Sequence, residues 1–242
     1  MNDDRVLRQG LDELMLECSE EQLEQLHTYY ERMVEVNKVM NLTAITEYEE
    51  VCVKHWLDSL CLVKALLPKE LNNPLRVIDV GTGAGFPGVP LKIFFPQWKI
   101  TLLDSLAKRI NFLEQLTKEL GLSDVTCVHG RAEELGLKPE YREQYDLCVS
   151  RAVTRMASLT ELCLPLVAVN GAMIAYKSAD SDKEIDEAVK AVQVMGGVIE
   201  NREKFIVPCS DYGRSLVVVR KVRPTDRKYP RGGGKPMKAP VI

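Results

Sequence analysis

The sequence predicts an α/β protein: a helical N-terminal region, then a mostly parallel sheet that ends in an antiparallel hairpin. Three observations point there. From Leu75 onward, short apolar runs alternate with amphipathic stretches, the pattern of parallel strands covered on both faces by crossover helices. The last two runs are separated only by Pro208-Cys209-Ser210-Asp211-Tyr212-Gly213, too short for a crossover but sufficient for a hairpin. Before Leu75 the apolar residues recur at helical spacing instead.

Residues 1–70 form the helical region. Ser19-Glu20-Glu21-Gln22 is a capping box, with Leu23, Leu26, Tyr30, Met33 and Val34 making one apolar stripe behind it. Thr46-Glu47-Tyr48-Glu49 has the same form and opens a helix expected to reach Leu67 and stop before Pro68. Residues 71–223 carry the sheet, with strands at 75–80, 98–104, 124–129, 145–150, 171–177, 197–207 and 214–222. Helices are expected at about 87–95, 106–120, 156–168 and 181–195.

The third region, 224–242, is basic. From Arg220 to the end there are eight Lys/Arg and one acid, Asp226, so a chain of net charge −3 carries +7 at this end and −10 elsewhere. A cationic end on an acidic body suits contact with a polyanion, unless it is simply a solvated terminus. No apolar stretch is long enough to span a membrane, and the acidic start is unlike a secretory signal. We therefore expect a cytoplasmic protein. The seven cysteines include no Cys-x-x-Cys pair and several sit within apolar runs, so they read as reduced core thiols, with no metal site.

Val77-Ile78-Asp79-Val80-Gly81-Thr82-Gly83-Ala84-Gly85 is the most informative stretch. A buried strand ends and the chain turns where a ligand can approach bare backbone near a helix N-terminus. Pro87 suits the first turn of that helix. Gly83-Ala84-Gly85-Phe86-Pro87-Gly88 also fits the dinucleotide fingerprint, so an NAD(P)-dependent oxidoreductase is an alternative. Asp79 ahead of the glycines argues otherwise: it resembles the acid of the methyltransferase pattern, and a carboxylate there would repel a pyrophosphate. Asp104 closes the second strand, placed to accept ribose hydroxyls or to cap the next helix with Ser105. Ala132 and Glu133 follow the third strand, as adenine contacts or as a cap.

With these pieces assembled, the chain resembles the bacterial 16S ribosomal RNA guanine-N7 methyltransferase G family, also called glucose-inhibited division protein B. The resemblance is carried by Asn37 and Met40-Asn41-Leu42-Thr43, by His55-x-x-Asp58-Ser59-Leu60, and by Asp79 through Gly88. It continues through Leu103-Asp104-Ser105, Arg131-Ala132-Glu133-Glu134, Ser150-Arg151-Ala152 and Tyr176-Lys177. It implies a Rossmann-like class I methyltransferase fold with a seven-stranded sheet. The implied cofactor is S-adenosyl-L-methionine, contacted by Gly81, Phe86, Ala132, Glu133 and Arg151. The implied reaction methylates one guanine, at position 527 in the 530 loop of 16S ribosomal RNA.

The partner is then that RNA, or an assembling small-subunit particle, met by a monomer. Candidates for holding it are Arg155 after the fourth strand, Lys177 after the fifth, and Arg231, Lys235 and Lys238 in the tail. His55, Asp58 and Ser59 share one helix face, which could cover the site, or His55 could pair with Asp58 and fix the helix to the sheet. Arg151 could equally be an ion-pair partner. A nonenzymatic RNA- or ribosome-binding protein is the remaining alternative.

Overall fold

The computed structural model describes residues 3–242; Met1 and Asn2, at the head of the expected helical region, lie outside them. The N-terminal helices are α1 (Arg5–Glu13) and α2 (Glu20–Met40). Ser19 caps α2 as expected, its hydroxyl accepting from the Gln22 amide while the Gln22 side chain accepts from the Ser19 amide. The second box does not form. Thr46 lies one residue too far out: Glu47 occupies the cap position without a side-chain bond, and the Thr46 carbonyl accepts from the Tyr30 hydroxyl at 2.9 Å. The helix it was to open is also less regular. α3 (Tyr48–Val51) widens into a π-helical turn at Cys52–Leu57, resumes as α4 (Asp58–Leu60) and tightens to a 3₁₀ turn ending at Lys64. A π turn within a helix often marks a functional segment, and this one carries His55. A short α5 (Pro68–Asn72) leads to the sheet.

The strands are β1 (Arg76–Val80), β2 (Lys99–Asp104), β3 (Val125–His129), β4 (Tyr145–Arg151), β5 (Val167–Ser178), β6 (Gly197–Ile206) and β7 (Gly213–Lys221). Between them run α6 (Gly88–Phe94), α7 (Ala107–Glu119), α8 (Ala132–Leu135), α9 (Met156–Cys163), α10 (Asp182–Glu187) and α11 (Val189–Val194). A single turn, α12 (Lys235–Lys238), lies in the tail. The sheet order is β3-β2-β1-β4-β5-β7-β6, parallel through β5, with β7 antiparallel to both of its neighbours. The terminal hairpin is as expected. Two helices depart from expectation. Pro165, which cannot donate to a helix interior, follows the end of α9, so Val167 already pairs with Tyr145 as strand. The expected helix 181–195 divides at Ala188.

Successive strand residues face opposite sides, and the core divides accordingly. Val77, Leu102, Val149, Ile174 and Val218 pack under α1, α2, α4, α6 and α7. Ile78, Leu103, Cys148, Met173 and Val217 pack under α8, α9, α10 and α11. The helical N-terminal region therefore closes one face of the sheet. No helix among the described residues is long and apolar enough to cross a membrane.

The tail is tied down along much of its length. Arg142 donates to the carbonyls of Thr225 and Tyr229 at 2.7 and 2.8 Å. Buried Lys221 donates to the Leu164 carbonyl and Thr225 hydroxyl and pairs with Glu143 at 3.2 Å. The tail as far as Tyr229 is thus packed against the sheet domain, while Gly232, Gly233, Lys235, Met237 and Lys238 beyond it are exposed.

Candidate functional site

The glycine turn lies where β1 ends, at the carboxyl edge at which open parallel sheets bind ligands. Gly81, Gly83 and Gly85 all take positive φ, +74°, +62° and +108°. Their reasons differ. A Cβ on Gly81 would lie 2.4 Å from Val153, and one on Gly85 2.7 Å from the Tyr29 hydroxyl, whereas one on Gly83 would enter open space. Gly83 is therefore the position in the turn where bare backbone meets open space rather than a neighbour. From the other side α2 holds the turn: the Tyr29 hydroxyl donates to the Ala84 carbonyl at 2.7 Å.

Asp79 braces the turn from beneath. Fully buried, it accepts through Oδ2 from the Thr82 hydroxyl at 2.7 Å and the Gly88 amide at 2.8 Å, while Oδ1 has no partner. Burial pushes its pKa up to about 6 against these two bonds. Asp104 joins the glycine turn to the approach to α7 through one carboxylate, although Leu106, and neither Asp104 nor Ser105, takes the cap position of that helix. Oδ1 accepts from the Leu106 amide at 2.9 Å, and Oδ2 accepts from the Gly83 amide at 3.0 Å and from Arg109 at 3.2 Å. A carboxylate oxygen can accept twice, so Oδ1 retains capacity for a ligand hydroxyl.

Beside the turn is a cavity of about 370 Å³ lined by Gly81, Asp104, Ser105, Ala132 and Glu133, together with Leu103, Val153 and Leu162. Its size falls in the ~300–1,000 Å³ range of small-molecule sites. Its make-up, apolar walls with Asp104 at the end of β2 and Glu133 in α8, suits a nucleoside. The residues present therefore fit an adenosyl ligand. The remaining sequence candidates stand around the cavity instead of lining it: Asp79 below, Gly83 and Gly85 in the turn, Phe86 and Arg151 behind.

Phe86 and Arg151 belong to a buried cluster under the π-helical turn. The Phe86 ring stacks between His55, 4.2 Å away between centroids, and Tyr29, 5.2 Å away, with the Arg151 guanidinium 5.2 Å from its centre. Arg151 donates to Asp58 at 2.7 Å, to the Lys54 carbonyl at 3.0 Å and to His55 Nδ1 at 3.1 Å. Arg214 also clamps Asp58, at 2.9 and 3.1 Å. His55 and Asp58 do not pair with each other; Arg151 holds both. Desolvation, helped by the Arg151 charge, pulls His55 down to about 3, so it stays neutral. Sequence reasoning did not find Arg214. It lies in β7, remote in sequence, and nothing local distinguishes it from an exposed strand arginine.

The polyanion candidates fare unequally. Lys177 is mostly covered and donates to Glu184 and to the Thr154 carbonyl, both at 2.7 Å. Arg231 makes a bidentate pair with the fully buried Glu161, at 2.6–3.2 Å, so its charge is already matched. Arg155 pairs with Glu187 at 2.5 Å but remains largely exposed. Lys235 and Lys238 are exposed and have no ion-pair partner among the described residues, and Lys238 borders the cavity. No group of acidic, His or Cys side chains among the described residues is placed to hold a metal, and all seven cysteines are free thiols.

The model of the family described as rRNA small subunit methyltransferase G matches residues 22–212. Curated relatives named ribosomal RNA small subunit methyltransferase G include one from Lachnoclostridium phytofermentans. It is 48% identical over 242 residues, covering all of this chain and 99% of that one. Another, from Alkaliphilus metalliredigens, is 47% identical over 241 residues and is covered in full. Among solved structures, a sarcosine dimethylglycine methyltransferase from Galdieria sulphuraria, described as putative, aligns with a TM-score of 0.56. It is 14% identical, with 73% of this chain and 88% of that one covered, which shows the fold alone. Near-half identity from end to end, and a family model spanning the glycine turn, both strand-end acids and Arg151, have one consequence: the chain belongs to the rRNA small subunit methyltransferase G family.

Proposed function

We propose that this chain methylates N7 of a single guanine in 16S ribosomal RNA, at position 527 in the 530 loop. Bound S-adenosylmethionine supplies an electrophilic methyl group on a sulfonium. Guanine N7 carries an available lone pair, so its attack needs no prior loss of a proton.

The observation that carries this reading is the state of the titratable groups around the turn. His55 is neutral, with Nδ1 accepting from Arg151 and Nε2 against the Thr43 hydroxyl. Asp58 is held by two arginines, and Asp79 is sealed under the backbone it braces. Burial raises the Cys52 thiol to about 12 and pushes those of Cys61 and Cys148 up as well, so none is a ready thiolate. These groups favour a reaction that asks for neither a general base nor a covalent nucleophile. The chain's work is then to position the reactants and exclude water.

His55 and Asp58 contribute by fixing Arg151 and Phe86 rather than by touching RNA. Arg155, just before α9, is available to phosphates, as are the exposed tail cations Arg227, Lys235 and Lys238. The substrate is the RNA itself or an assembling small-subunit particle, and the enzyme acts as a monomer.

Nucleoside analysis tests the proposal. 16S RNA incubated with the protein and S-adenosylmethionine, then digested, should yield 7-methylguanosine. A ribose-methylated or carbon-methylated nucleoside in its place would overturn it.

A further inference from the structure

We infer that the C-terminal strap, residues 232–238, is part of the cofactor site, with Gly233, Gly234, Met237 and Lys238 forming the wall that faces the adenosyl group. The inference rests on S-adenosylmethionine being the ligand of the cavity beside the glycine turn. It assigns to the tail a role in holding that ligand, separate from any contact with RNA.

Position is the first ground. Gly233, Gly234, Met237 and Lys238 line the same cavity as Asp104, Ser105, Ala132 and Glu133, although about a hundred residues separate them in the chain. The strand-end residues offer carboxylates and small side chains. The strap adds a thioether, and it sets further bare backbone and a second cation across from Gly81, Gly130 and Arg131. A flexible, polarisable methionine suits the face of an aromatic ring. Met237 is half-exposed here, and a purine in the cavity would cover apolar surface that otherwise meets water.

The second ground is how firmly the strap is rooted. Arg231, immediately before it, closes a bidentate pair on Glu161, and the Arg231 amide donates to the same carboxylate at 2.8 Å. Glu161 has no solvent exposure, and a buried carboxylate without its partner is strongly unfavourable. The Arg231 guanidinium also donates to the Ala239 carbonyl at 2.8 Å. One arginine thus holds both ends of the strap, with Pro236 buried between them.

Backbone conformation is the third. Gly233 and Gly234 take φ +68° and +70°, where a Cβ would meet nothing closer than 3.9 Å. No crowding demands glycine there. The demand is conformational: two successive left-handed residues turn the chain so that α12 lies along the cavity, the amides of Met237 and Lys238 both reaching the Gly234 carbonyl at 3.2 Å.

Calorimetric titration with S-adenosylhomocysteine tests the assignment on three proteins: the full chain, a chain ending at Arg231, and full-length Met237→Asp. Ending at Arg231 keeps the pair with Glu161. Met237→Asp alters a half-exposed side chain and adds an acid facing Asp104 and Glu133. Binding should weaken about tenfold in the truncated chain and several-fold in Met237→Asp. Unchanged affinity in Met237→Asp and in the truncated chain would overturn the inference, as would tighter binding, which would make the strap an obstruction. Failure of the full chain to bind would instead remove the cofactor reading beneath it.

Discussion

Arg151 donates a hydrogen bond to Nδ1 of His55 at 3.1 Å, and a guanidinium has no acceptor to offer in return. The imidazole must therefore carry its proton on Nε2, where it donates to the Thr43 hydroxyl at 2.9 Å. That one contact links β4 to the π-helical turn and sets the charge state of the histidine nearest the glycine turn.

The first prediction concerns that state. With its pKa lowered to about 3, His55 should show the ¹⁵N shifts of a neutral, Nε2-protonated ring throughout about pH 5–8. Its stabilising effect is complete above the unfolded pKa of ~6.5 and is lost as pH falls toward 3. The single-turnover rate should show no limb assignable to it. A histidine titration near pH 6.5 that disappears in His55→Gln would contradict this.

Removing Asp58 should be severe. Its carboxylate is 1% exposed and receives both Arg151 and Arg214, so Asp58→Ala leaves two largely covered guanidiniums without their acceptor. Urea unfolding should register a loss of about 3–5 kcal/mol. A loss below about 1 kcal/mol, the scale of an exposed pair, would show that the cluster is not the fastening we describe.

Asp79 acts with the opposite sign to His55. Burial holds its folded pKa at about 6, above the ordinary 3.8 of an aspartate. The fold therefore favours the protonated carboxyl, a contribution complete below about pH 4 and lost as pH rises through 6. Asp79→Asn can keep the Thr82 and Gly88 bonds yet has no such proton. Between about pH 4 and 7.5 its stability relative to the parent should improve by roughly 3 kcal/mol. A stability difference independent of pH would count against the buried carboxylate being strained.

For RNA, the tail should count for less than its formal charge. Arg220, Lys221 and Arg231 are paired to Glu200, Glu143 and Glu161, while Arg227 has no ion-pair partner among the described residues and is exposed. Arg227→Gln should flatten the dependence of log affinity on log salt by about one unit. Arg231→Gln should leave that slope unchanged and lower stability. Equal salt effects from the two variants would mean that pairing to Glu161 does not remove Arg231 from RNA contact.

Much of this protein is local, and local features can be read from sequence. The strands announce themselves by apolar runs, the capping box by Ser19 and Gln22, and the glycine turn by positions that tolerate only bare backbone. Asp79 and Asp104 follow from their places at strand ends, because a parallel sheet brings every such end to one edge. What only the tertiary structure decided is which charges meet. A sequence displays Arg151, Lys177 and Arg231 as cations but not that Asp58, Glu184 and Glu161 neutralise them. It places Met237 and Lys238 in a basic tail, about a hundred residues from Ala132 and Glu133, although all four border one cavity. Ion pairing and cavity walls depend on distances of a few ångströms between segments remote in the chain. Only packing creates those distances.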